Sequence, residues 1–316
     1  MSERIIIAID TSNYTTSVSL MRLDGKLIAN IKRPLPVKQG ECGLRQSDAV
    51  FAHIKNLPSA MREARERLDG RVPVAVGVST RPRNVDGSYM PCFLAGVSAA
   101  ESISATLGIP LYSFSHQCGH IMAALYSSEK QDIMDSDFAA FHISGGTTEL
   151  LRVRWDNGGF VTELLGGTRD LNAGQVIDRV GVHLGMPFPA GPHLESAALK
   201  FNGKIHKKKV SLDGAYMNLS GLENLAKTIY NETQDTSASA AFVFDYIGNA
   251  ILGVCNNFME VHGNMPFVFA GGVMCNSIIK NKLAAIPKAY FATPDMSADN
   301  AVGVAALTVK SFLNEE

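Results

Sequence analysis

The stretch Ile5-Ile6-Ile7-Ala8-Ile9-Asp10-Thr11-Ser12 sets the fold class. A run of β-branched residues suits a pleated, buried surface, so it predicts a core strand. The acid and two small hydroxyl residues at its end mark a turn. Thr16 to Leu20 predicts a second strand, Asp24-Gly25 a hairpin turn, and Lys26 to Ile31 a third strand. The chain therefore opens with three antiparallel strands. The layout returns near mid-chain as Phe138 to Ile143, Gly145-Gly146, and Glu149 to Trp155, closed by the turn Asp156-Asn157-Gly158-Gly159. Two copies of strand, small-residue turn and strand, each followed by helices, predict an α/β molecule with duplicated mixed-sheet lobes. The period is far too long for a solenoid array.

Between and after these units the pattern alternates. Residues 48–68 predict a helix with Val50, Ile54, Leu57 and Met61 on one face and a possible kink at Pro58. Val74 to Val78 predicts a buried strand, Gly96 to Leu107 a helix ended by Gly108 and Pro110, Leu111 to Phe114 a strand, and His116 to Tyr126 a helix. Further helices are expected around 172–185, 219–231 and 237–262, a strand at Pro266 to Ala270, and a last helix from Asp299 to Leu313. The expected boundaries are an N-terminal lobe over 1–133, a C-terminal lobe over 134–296, and a terminal helix over 297–316 that returns to the first lobe.

Composition narrows the function classes. Of 316 residues, 46% are hydrophobic and 19% charged, enough to build a core and too apolar for disorder. Lys and Arg number 29 against 30 acids, a net charge of −1, which excludes a freestanding nucleic-acid binder that relies on overall positive charge. The one dense basic run, Lys204 to Lys209, reads as a solvated loop or a local polyanion contact. Cys42, Cys92, Cys118, Cys255 and Cys275 are odd in number and lack CxxC spacing, which fits free thiols in a reducing cytoplasm. The first apolar run is too short for a leader or a span, and no eighteen-residue apolar run is read later, so no membrane partner is expected.

Five segments carry residues suited to chemistry. The turn Asp10-Thr11-Ser12-Asn13-Tyr14-Thr15-Thr16 is either a phosphate-facing turn, with Asp10 near a metal-bound water, or a plain polar hairpin. Ser144-Gly145-Gly146-Thr147-Thr148 holds the same place in the second unit, and its glycines would let backbone approach a phosphate. Phe267 to Asn276 runs from an apolar strand through Gly271-Gly272 into an apparent helix with Asn276 in its first turn, a junction suited to a nucleoside. There is neither GxGxxG nor a P-loop. His116-Gln117-Cys118-Gly119-His120 sets two imidazoles four residues apart on one helix face, with Cys118 on the other and Asp299 as a candidate third metal ligand. No Glu follows the first His, so HExxH proteolysis is disfavoured. Asp170 to Asp178 offers acids for ribose or metal, or merely a solvated helix face.

Taken in order, DTSxxxT, HxxxH, SGGxTEL, DxxxGxxxDRVG, PxGP, NLSGL, AGGVxxNxxI and ADN resemble the TsaD/Kae-type family from Ile5 to about Leu307. These are tRNA threonylcarbamoyladenosine transferases, formerly known as O-sialoglycoprotein endopeptidases, with the two-lobed actin/Hsp70/sugar-kinase (ASKHA) fold. The resemblance implies one divalent metal, iron or zinc, on His116, His120 and Asp299. It implies adenylate phosphates at Ser144, Gly145, Gly146 and Thr147, a nucleotide sugar near Asp170, Gly174 and Asp178, a PGG-like substrate-binding turn at Gly191, and adenosine near Gly271, Gly272 and Asn276. Asp10, Ser12 and Thr15 are assigned to catalysis.

The departures lie in the loops. The family's ETSCDET is Asp10 to Thr16 here, with Tyr14 and Thr15 in place of its acidic pair; SGGHT carries Thr147 in place of histidine; the metal motif's internal Glu is Cys118; and a GPG turn gives way to Arg83 to Pro91. They mark a divergent paralogue. The expected activity is metal-dependent carbamoyl-type transfer from an acyl (threonylcarbamoyl) adenylate to tRNA adenosine or another amine, the alternative being a non-catalytic nucleotide-binding scaffold. Expected partners are ATP, ADP or an acyl-adenylate, tRNA with partner proteins, and a second chain in a homo- or heterodimer.

Overall fold

A computed structural model describes residues 3–12, 14–37 and 43–316; Asn13 and Cys42 lie outside the described residues. The first sheet contains β1 (Arg4–Asp10), β2 (Thr15–Arg22), β3 (Leu27–Pro34), β4 (Val72–Arg81) and β5 (Leu111–Ser115) in the order β3-β2-β1-β4-β5. β1 pairs antiparallel with β2 and parallel with β4, and its Ile5 to Ile9 run is buried on both faces. The continuous apolar run suits such a central strand, where both faces are covered. α1 (Gln46–Leu68) and α2 (Phe93–Leu107) follow β3 and β4, and β5 runs straight into α3 (His116–Ser127).

The second sheet repeats the arrangement. β6 (Phe138–Ile143), β7 (Thr148–Asp156) and β8 (Gly159–Thr168) form the meander; α4 (Ala173–His183), α5 (Gly191–Ala198), β9 (Ser211–Asp213), β10 (Tyr216–Asn218), α6 (Ser220–Thr233) and α7 (Thr236–His262) intervene before β11 (Phe267–Ala270). α8 (Ser277–Leu283), β12 (Ala289–Phe291), α9 (Pro294–Ser297) and α10 (Val302–Glu315) complete the chain. The order is β12-β11-β6-β7-β8-β10-β9, so its first five positions mirror the first sheet from the opposite edge. The expected duplication is borne out, with β9 and β10 as an addition.

On β6, alternation sends Ala139, Phe141 and Ile143 into a core with Phe244, Val254 and Phe269, while Phe138 and Ala140 join α3 and α10 in a core between the sheets. Each fully buried Phe or Ile contributes roughly 1.5–3 kcal/mol of transfer free energy to these contacts. Among the described residues α7 is the one helix long and apolar enough to cross a membrane. The sequence predicts this helix at 237–262 without reading it as long and apolar enough to span, and 78% of its most apolar stretch is buried as the core helix of the second sheet. The described cysteines, Cys92, Cys118, Cys255 and Cys275, carry free thiols.

α1 corrects one expected face. Its buried residues are Ala49, His53, Leu57, Ala60 and Ala64, while Ile54 and Phe51 are exposed. Small residues let the helix lie close to β2 and β3, and a 2.8 Å hydrogen bond between Thr16 Oγ1 and His53 Nδ1 fixes its rotation. Lys204 to Lys209 lies in exposed, irregular chain between α5 and β9.

α10 packs on β1, β2, β4 and α3. Its crossing with α3 is close: a Cβ on Gly303 would stand 1.8 Å from the Gly119 carbonyl oxygen. That contact ties the residues just before α10 to the first turn of α3.

Candidate metal and nucleotide site

α3 begins at His116 because Ser115 is its N-cap, the Ser115 hydroxyl accepting from Cys118 N at 3.2 Å. One turn then separates His116 from His120, their ring centroids 4.4 Å apart. Asp299 arrives from the turn before α10. There Asn300 donates to the Met296 and Ala298 carbonyls at 3.0 and 2.7 Å and accepts from Val302 N at 2.9 Å. The last helix thus begins at Val302 and not at Asp299 as expected, and Asp299 sits in the hydrogen-bonded turn ahead of it.

His116 Nε2 and His120 Nε2 lie 3.5 and 3.3 Å from Asp299 Oδ1, and the three ligand atoms fall within 4.8 Å of one another. Two ligands about 2.1 Å from one ion at near-tetrahedral angles stand about 3.4 Å apart, so these spacings fit a metal. His120 Nε2 is buried and makes no well-formed hydrogen bond, a donor atom left to a further partner. Two imidazoles and a carboxylate suit zinc or iron.

Asp10 stands behind the cluster. His116 Nδ1 donates to its Oδ2 at 2.9 Å, Ser79 Oγ donates to the same oxygen, and Ser12 N donates to Oδ1 at 2.9 Å. A carboxylate on Nδ1 turns the opposite nitrogen of His116 toward Asp299. Burial alone raises the Asp10 carboxyl, but the His116 charge and hydrogen bond outweigh it and leave it lowered. Burial likewise opposes charge on His116, yet Asp10, and then Asp299, push the imidazole up to about 10. His120 is lowered by burial and by the His116 charge. Against the cost of burial, both imidazoles hold Asp299 well below the usual carboxylate range.

The other expected residues divide. Ser12 is buried with an unpartnered hydroxyl beside Asp10. Thr15 opens β2, opposite Pro34, and no hydrogen bond or ion pair joins it to the triad among the described residues. Ser144 N donates to the Thr147 carbonyl at 2.8 Å, closing a tight loop at the carboxyl end of β6, where Gly145 and Gly146 are exposed. Gly174 N donates to the Ser144 carbonyl at 3.3 Å, buttressing that loop. Asp170 accepts from Leu219 N and Ser220 N at 2.7 and 3.1 Å, so both its oxygens are engaged at the start of α6. Asp178 accepts from Ala190 N at 2.8 Å and is raised by burial; Gly191 opens α5 beside it. Gly271 has φ +96° and lies against the Ile143 carbonyl, which a Cβ would approach to 2.4 Å. Gly272 itself opens a 3-10 turn over Gly272–Cys275, which separates Gly271 from α8, whose N-cap is Asn276 through Oδ1 and Ile279 N at 2.9 Å. The glycines thus do not lead directly into a helix, as expected from sequence; Asn276 Nδ2 is buried without a partner.

The sequence profile of TsaD, described as tRNA N6-adenosine threonylcarbamoyltransferase, matches residues 38–306. The chain belongs to the TsaD family. A tRNA N6-adenosine threonylcarbamoyltransferase of Streptococcus suis (strain 05ZYH33) is 30% identical over the whole chain and 94% of its own length. The protein of that name from Bacillus licheniformis is 28% identical over 97% of this chain and 92% of its own length. Among solved structures, HypF of T. kodakarensis superposes with a TM-score of 0.64 at 14% identity, over 99% of this chain and 49% of HypF. The activator of the 2-hydroxyisocaproyl-CoA dehydratase from Clostridium difficile, with bound ADPNP, gives 0.51 at 15% identity, over 99% of this chain and 96% of that protein. These likenesses bear on fold, which is the two-lobed actin/Hsp70/sugar-kinase architecture.

The candidate residues taken from the TsaD motifs leave out His142, Gln117, Glu149 and Arg83, although Glu149 lies within SGGxTEL. His142 is buried beside His120, with ring centroids 5.1 Å apart, and burial drives its imidazole well below the ordinary value. The available signal was one polar residue on the inward face of Phe-Ala-Ala-Phe-His-Ile.

Proposed function

We propose that this chain transfers a threonylcarbamoyl group from its adenylate to the N6 amine of adenosine in tRNA. Family membership supports the reaction class. The observation that carries the metal dependence is the meeting of His116 and His120 with Asp299, more than half the chain away in sequence, at 3.5 and 3.3 Å beside a buried Asp10.

His116, His120 and Asp299 would hold the ion, which supplies Lewis-acid polarisation of the acyl carbonyl when bound. Asp10 holds His116 in the orientation that keeps Nε2 toward the site. The exposed Gly145 and Gly146 would let the adenylate phosphate approach the turn's backbone, and Gly271, pressed against the Ile143 carbonyl, sets the neighbouring turn where the nucleoside would sit. The adenosine N6 forms a bond to the carbamoyl carbon and gives up a proton as the bond from that carbon to the phosphate oxygen breaks and AMP departs.

The test uses purified protein loaded with zinc or iron, labelled threonylcarbamoyl-adenylate and unmodified tRNA, with and without lysate from cells depleted of this chain as a source of partner proteins. Label on tRNA, abolished by His116→Ala, is the expected result. Adenylate consumed without label on tRNA overturns the acceptor, and full transfer by His116→Ala overturns the metal role.

A further inference from the structure

A polar relay runs beside the metal triad. Strand alternation turns His142 toward α3, and the β6–β7 register sets it directly opposite Glu149. Gln117, between the two metal-site histidines, is 1% exposed. It places Nε2 2.7 Å from Glu149 Oε2 and 3.5 Å from His142 Nδ1. Arg83, from the connection between β4 and α2, holds the other Glu149 oxygen across the two sheets.

This order of groups fixes a proton. A carboxylate only accepts, so the Gln117 amide must turn its NH₂ toward Glu149, and the same NH₂ is then the group that faces His142. His142 Nδ1 meets a donor and presents its lone pair, which leaves the imidazole proton on Nε2. That nitrogen is buried and has no partner. A buried N–H without an acceptor is costly and uncommon, so its position calls for one.

The surroundings indicate which acceptor. His142 lies one residue from the carboxyl end of β6, at the edge where open α/β sheets take ligands. His120 is close to its ring, 5.1 Å between centroids. Gly271 is close to it too, where a Cβ would stand 3.0 Å from His142 Cδ2, the carbon bonded to Nε2. His142 thus neighbours both the triad and the turn assigned to the nucleoside, where the acyl group of a bound adenylate belongs.

We propose that His142 Nε2–H donates a hydrogen bond to the acyl carbonyl oxygen of the adenylate, with Gln117 and Glu149 as positioning residues that fix the tautomer. The assignment rests on the acyl-adenylate reading above. A preorganised donor aimed at that oxygen stabilises charge as the carbonyl is attacked.

The test combines two measurements on the full-length protein. Long-range ¹H–¹⁵N spectra of histidine-labelled, metal-free protein read the tautomer: His142 carries its proton on Nε2, and Gln117→Leu gives a mixture. Calorimetry on zinc-loaded protein compares a non-hydrolysable threonylcarbamoyl-adenylate analogue with AMP. His142→Phe weakens the analogue about tenfold and AMP less than about twofold, and Gln117→Leu weakens the analogue about threefold. A proton on Nδ1, loss of the Nε2 proton on adding zinc, equal weakening of AMP and analogue, or unchanged analogue affinity each overturns the proposal. If His142→Phe does not fold, the wild-type tautomer and Gln117→Leu still decide. Wild-type protein that binds AMP but not the analogue, or neither, overturns the proposed function itself, whereas normal wild-type binding with indifferent variants overturns only the role of His142.

Discussion

Raising the pH from 7 to 9 should tighten zinc binding about 100-fold, because one proton must leave the site for each ion bound. The count comes from the three ligands. Asp299 is held well below 3.8 and is already ionised, and His120 is lowered from 6.5 and is already neutral. His116 alone is raised, to about 10, by Asp10 and then Asp299 working against burial. Below that value the ion competes with a proton on His116 Nε2, and apparent affinity changes about tenfold per pH unit. Competition against a chromophoric chelator between pH 7 and 9 reads the slope, and calorimetry in two buffers of different ionisation enthalpy counts protons released. Asp10→Asn removes the main partner that keeps His116 charged, so its proton release at pH 8 should fall to near zero and its slope should flatten. The same variant loses about 10–100-fold in affinity at pH 9, because the imidazole is no longer held. A flat profile for the wild-type protein, or an equally steep one for Asp10→Asn, refutes the reasoning.

The same groups govern stability without metal. His116 has a raised value, so its contribution is complete below 6.5 and is lost as pH climbs toward about 10. Asp10 and Asp299 are lowered, so theirs is complete above 3.8 and is lost on acidification. His120 and His142 are lowered and lose their contribution below 6.5, so thermal stability of metal-free protein should peak near pH 6.5 and decline from there to about pH 8.5, a decline that His116→Gln abolishes. Gly303→Ala puts a Cβ 1.8 Å from the Gly119 carbonyl oxygen and forces α10 off α3. It should cost at least about 2 kcal/mol in denaturant unfolding and lower zinc stoichiometry, and retention of both would contradict the close-crossing account. Gly271→Ala combines φ +96° with a Cβ 2.4 Å from the Ile143 oxygen, a strain of about 1–3 kcal/mol. AMP affinity should fall while zinc stoichiometry holds, so the opposite pattern would separate this turn from the nucleotide.

The sequence by itself determined the duplicated lobes, because Ile5 to Ile9 and Phe138 to Ile143 are apolar runs ended by small-residue turns, and such local patterns survive any packing. It also brought His116 and His120 onto one face, since helical spacing is a local property. It misjudged α1, where Ile54 looks like core and Ala49, His53 and Ala60 are core, because only the distance to β2 decides whether small or large residues fit. Nothing in the chain order says that Asp299 meets those histidines, that Asp10 spends both oxygens on His116, Ser79 and Ser12, or that Asp170 faces α6. Nor does it join His142 to Glu149 and Gln117, which takes a strand register and a helix crossing together. Spacing along a helix or strand is written in a few neighbouring residues. The meeting of groups hundreds of residues apart depends on how closely α10, α3 and the two sheets pack, and that is set by the whole core at once.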